Sequence, residues 1–122
     1  MVLPRAEQER EVVEHEDFLR APLSGTVRFW NWNRPAVGEA REISAGGIFV
    51  QTDDVLPEGS RLTLRLEVPG FRSVTVLGQV VRTVKGGVLN PAGMGIRFLD
   101  LMPGDQRAII EFVLRRGPPH AA

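Results

Sequence analysis

The chain has 122 residues, 43% hydrophobic and 25% charged, with a formal net charge of zero, the make-up of one globular domain with enough apolar residues for a core. It contains no cysteine, which excludes disulfides, thiolate catalysis and zinc–cysteine sites. No apolar run approaches the length of a membrane span, and the N-terminus turns acidic at once, unlike a secretory leader, so the expected location is the cytoplasm without membrane insertion.

Residues 1–20 carry six acids (Glu7, Glu9, Glu11, Glu14, Glu16, Asp17) against Arg5, Arg10 and Arg20, while the rest of the chain holds nine acids and twelve basic groups. This acidic arm on a mildly basic body lacks the concentrated basic face of a nucleic-acid binder, and its charges read as a solvated helix face. Residues 4–19 have helical character: a proline where a first turn tolerates it, acids early, and no glycine. The stripe of Val12, Val13, Phe18 and Leu19 is weak. Residues 1–19 are thus expected to form an acidic helix or arm, and 20–25 a proline- and glycine-marked entry to the next unit.

From Thr26 the period becomes two. Thr26 to Asn33 places Val27 and Phe29 on one face and Arg28, Trp30 and Trp32 on the other. Ala40 to Ile43 and Gly47 to Thr52 flank a polar turn, Glu42-Ile43-Ser44-Ala45-Gly46-Gly47. Arg61 to Val68 alternates, with four apolar residues inward. A Pro69-Gly70 turn leads to a long strand, Ser73 to Val84, where Gly78 is expected to bulge or bend. Residues 88–93 read as a loop, Gly95 to Leu99 as the last strand, and Pro103-Gly104-Asp105 as the cap of a helix, Gln106 to Arg116. Its apolar face is Ile109, Ile110, Phe112 and Val113. The tail 117–122 reads as disordered. The expected fold is mainly β: a six-stranded antiparallel barrel over residues 20–116, with an N-terminal helix or arm and a C-terminal helix packed on it.

Two glycines in the turn let backbone approach a ligand or a neighbouring strand, and its serine and carboxylate can bond a bound group or the loop's own backbone. With Arg20 upstream, the acid-x-Ser-x-x-Gly turn and the Gly95-Ile96-Arg97-Phe98 strand, the chain from about Glu16 to Phe112 resembles the PilZ family of bacterial cyclic di-GMP receptors. That resemblance implies a six-stranded barrel and a ligand site built from two motifs. One is Arg-x-x-x-Arg before the barrel, the other Asp or Asn, then x-Ser-x-x-Gly. Arg20 matches the second arginine, and Ser44 and Gly47 match the serine and glycine. Glu16 stands at the first arginine position and Glu42 at the Asp/Asn position, so the implied site is degenerate there.

The physical chemistry of the exchange is direct. Arginine can fork onto phosphate or onto guanine O6 and N7, or stack on a base. A contact of that kind is worth about 1.5–3 kcal/mol, so its loss weakens binding roughly 10- to 150-fold. Glutamate in its place also sets a like charge beside a dianion.

Three readings follow. The first is a non-enzymatic signalling adaptor with a degenerate cyclic di-GMP site, acting by protein–protein interaction, with motility or polarity control implied by the resemblance alone. Its partner is a protein of such a system, and it is a monomer or homodimer. The alternative is a cyclic di-GMP receptor using Arg20, Arg41, Ser44 and Gly47, with Glu42 and Gly46 in the same turn. A further alternative is a small oligonucleotide-binding barrel using Trp30 and Trp32, against which the neutral net charge argues. The stripe Arg28, Trp30, Trp32, Arg34 has the composition of an interface hot spot, a base platform, or a small second core under a terminal helix. His15 and His120 are far apart in sequence, and no phosphate-cradling glycine motif is present, so no metal site and no catalysis are expected.

Overall fold

The computed structural model describes residues 20–70 and 73–116. The expected N-terminal helix or arm, with Glu16, and the tail 117–122 lie outside the described residues. Six strands, β1 (Ala21–Asn31), β2 (Arg34–Ile43), β3 (Gly47–Gln51), β4 (Arg61–Glu67), β5 (Ser73–Val84) and β6 (Gly93–Phe98), precede one helix, α1 (Pro103–Arg116). All strand pairs are antiparallel and close into a barrel in the order β1-β2-β3-β6-β5-β4. The expected mainly β barrel with a C-terminal helix is the observed fold.

Period-two alternation builds the interior. Val27, Phe29, Val50, Leu62, Leu64, Leu66, Val74, Val76, Val80, Met94 and Ile96 are buried together. Ile109, Phe112 and Val113 of α1 join the same core. Pro103 opens the helix, Asp105 lies in its first turn and Arg115 and Arg116 in its last, each sign matching the helix dipole.

Several boundaries differ from expectation for physical reasons. β1 begins at Ala21, not Thr26, because a register shift between Pro22 and Gly25 hides the alternation of its first residues. β2 begins at Arg34, where Pro35 and Gly38 mask the strand pattern. The bulge in β5 falls between Val80 and Arg82 rather than at Gly78. Gly78 is buried and pairs regularly with Phe98; a side chain there would meet Ile96 and Leu64.

The antiparallel order puts the β1–β2 turn, the β3–β4 loop and the β5–β6 loop at one end of the barrel. The β2–β3 turn and the start of β1 lie at the other, where Arg20, Glu42, Ser44 and Gly47 come together.

Candidate functional site

Ser44 to Gly46 turn the chain from β2 into β3. The Ser44 N–H donates to the Gly47 carbonyl at 2.9 Å, and the Ser44 hydroxyl accepts from the Gly46 N–H at 3.3 Å and donates to the Gly47 carbonyl at 3.5 Å. The serine is buried and organises the turn's own backbone, one of the two roles its spacing allows. The Gly46 carbonyl accepts from the Phe98 N–H at 2.8 Å, tying the turn to the end of β6. At Gly47 only glycine fits, since a Cβ would collide with the Ile96 carbonyl oxygen.

Against this turn, on the outer wall of β2, β3, β6 and β5, lies a shallow cavity of about 390 Å³. Cross-strand register sets its floor as one row: Glu42 pairs with Phe49, Phe49 with Gly95, and Gly95 with Arg82. Arg97, paired with Gly47, and Arg20 complete the cationic lining. Three guanidiniums therefore face a single carboxylate, Glu42, among the described residues of the wall. Arg20 Nη1 lies 3.4 Å from Glu42 Oε1, a half-exposed pair that solvent screens. The Phe49 ring covers Gly93, where a Cβ would come within 2.7 Å of it, and the Arg82 guanidinium sits 5.4 Å from the ring centroid.

The structure thus brings together Arg20, Glu42, Ser44, Gly46 and Gly47, as their spacing suggested. It leaves Arg41 out: the register shift between Ala40 and Glu42 makes Arg41 the bulged residue, and it does not line the cavity. Sequence reasoning missed Phe49, Val81, Arg82, Gly95 and Arg97. The glycines of β6 were the available signal, because a strand with Gly93 and Gly95 on its outer face has a hollow wall.

The expected stripe divides. Arg28 is exposed, Trp30 half-buried and Arg34 exposed at the start of β2. Trp32 is not on the strand face. With Asn33 it forms the two-residue turn closed by the Asn31–Arg34 pair, at φ +57° and 93% exposed. No described helix covers it, so the reading in which a helix encloses Trp32 as a second core fails for α1. Arg28 stands directly opposite Arg65 of β4, and neither has a carboxylate partner among the described residues.

A closed six-stranded barrel with a helix on its core and a cationic hollow beside the β2–β3 turn defines the class. The PilZ domain family profile matches residues 5–115, and the chain belongs to that family. Solved structures agree on the fold. The chain is similar to the Bacillus subtilis inhibitor of motility MotI/DgrA, with 24% identity and a TM-score of 0.72, over 80% of this chain and 48% of that one. The PilZ domain of YcgR from Escherichia coli, solved with c-di-GMP, gives 14% identity and a TM-score of 0.65 over 80% and 87% of the respective chains. The Klebsiella pneumoniae MrkH–c-di-GMP complex gives 16% identity and 0.63 over 78% and 49%. The chain spans about half the length of MotI/DgrA and of MrkH. A search of curated protein sequences found no match. Among the described residues no helix is long and apolar enough to cross a membrane, and no cluster of His, Asp or Glu could hold a metal ion.

Proposed function

We propose that this chain is a non-enzymatic regulatory module that takes cyclic di-GMP in the hollow beside the β2–β3 turn and acts on a partner protein. The observation that supports it is the wall itself: Arg20, Arg82 and Arg97 against one carboxylate, around a glycine-floored cavity of about 390 Å³. A dianionic nucleotide finds there fixed cations for its phosphates and planar guanidiniums for its bases. Glu16, where the family pattern has arginine, lowers the affinity; Arg82 and Arg97 offset part of that loss. Calorimetric titration of the full chain with cyclic di-GMP tests the reading. Heat of binding at micromolar ligand supports it. No heat with either the natural chain or Glu16→Arg would return the site to a purely structural turn.

A second reading, an adaptor that docks without the nucleotide, is favoured by Trp32. A bulky side chain in the left-handed region is strained, and strain of this kind gathers at working surfaces. An almost fully exposed tryptophan at a hairpin tip, beside Arg34 and near the facing Arg28 and Arg65, which have no carboxylate partner among the described residues, has the composition of an interface anchor.

A further inference from the structure

The geometry points to Arg82 as a base-reading residue of the hollow, holding its guanidinium plane against a guanine with Phe49 as its backing. This inference rests on the nucleotide reading of the pocket and names a residue outside the two sequence motifs that suggested it.

The argument begins with the bulge in β5. In a regular strand Val80 and Arg82 would point the same way, and Val80 is buried in the core. The register shift between them breaks that rule, so Arg82 pairs with Gly95 and lies on the outer wall. Gly95 has no side chain to block the way. A Cβ built there would lie 3.6 Å from Arg82 Cβ and 3.7 Å from its Nε, so the arginine stem runs directly over the glycine. Its guanidinium reaches across Gly95 to the Phe49 ring of β3 in the same row, 5.4 Å from the centroid. Phe49 is itself held down across Gly93.

The result is a cation fixed by packing rather than by a counter-charge. Among the described residues no carboxylate pairs with Arg82, whereas Arg20 is engaged by Glu42. Its Cζ lies over the Phe49 ring, and its side chain lines the cavity. A guanidinium so placed offers a flat, charged surface to a purine ring and needs little further ordering on binding. Lysine at this position would keep the charge but lose the plane.

Calorimetry of the full chain with cyclic di-GMP, on Arg82→Ala, Arg82→Lys and Phe49→Leu, tests the inference. Arg82→Ala is expected to weaken binding by about tenfold or more, the range of one charge-assisted contact. Arg82→Lys should stay closer to alanine than to the natural chain, and Phe49→Leu should lose a smaller factor. Arg82 is exposed, so the thermal melt of Arg82→Ala should match that of the natural chain. Unchanged affinity in Arg82→Ala overturns the inference, and full rescue by lysine overturns the stacking role. If the natural chain gives no heat, the comparison moves to a Glu16→Arg background. Equal binding there with and without Arg82 overturns the inference alone, and no binding in either background overturns the pocket reading with it.

Discussion

The two outer walls of this barrel are made of similar strands and have opposite surfaces. On the β3–β6 wall, glycines at 47, 93 and 95 remove side chains, a phenylalanine lies flat, and arginines at 20, 82 and 97 rim the space that results. On the β1–β4 wall nothing is removed: Arg28 faces Arg65, Trp30 faces Thr63, and the surface ends in a tryptophan at the hairpin tip. The first wall is concave because of what the sequence omits, and it suits a small ligand. The second projects, and it suits a protein surface.

The sharpest way to break the first wall is to fill it. Gly47→Val drives a branched side chain into the Ile96 carbonyl, where backbone cannot give way. It should cost about 3 kcal/mol and lower the thermal midpoint on the order of 10 °C, read by circular dichroism. Glu16→Arg should tighten cyclic di-GMP binding by about tenfold or more without changing stability, as one like charge is replaced by a donor. Calorimetry beside a melt checks both halves, and an unchanged affinity would detach the N-terminal motif from the pocket.

The second wall responds in the other direction. Trp32→Gly removes a left-handed bulky residue and should raise stability by up to about 1 kcal/mol, measured by urea denaturation. A loss of stability would show that the ring is packed. The smallest effect is expected from Glu42→Gln. Its pair with Arg20 is half-exposed, so stability should change by less than about 0.5 kcal/mol, while a rise in nucleotide affinity would show that the carboxylate opposes the ligand.

What could be read in advance follows from where the pattern is local. β4 and β5 were legible because Arg61 to Glu67 and Ser73 to Val84 alternate without interruption until the bulge. The first residues of β1 and β2 were not, since Pro22, Gly25, Pro35 and Gly38 interrupt the alternation and a register shift falls between Pro22 and Gly25. The site divides in the same way. Arg20 and the residues from Glu42 to Gly47 are close in sequence or carried by a recognisable spacing. Arg82 and Arg97 enter only through the β5–β6 ladder, and Arg82 faces outward only because of a bulge that no composition rule places. Simple alternation would put Trp32 on a strand face, but β1 ends at Asn31 and Trp32 is already in the turn.

The seam that closes the barrel carries a consequence of its own. β1 meets β4 through three residue pairs, Arg28–Arg65, Phe29–Leu64 and Trp30–Thr63, fewer than on any other seam. One of the three sets like charges face to face, which weakens it further. Local opening of the sheet therefore starts here, so the amides of this seam should exchange with solvent hydrogen ahead of those between β4 and β5.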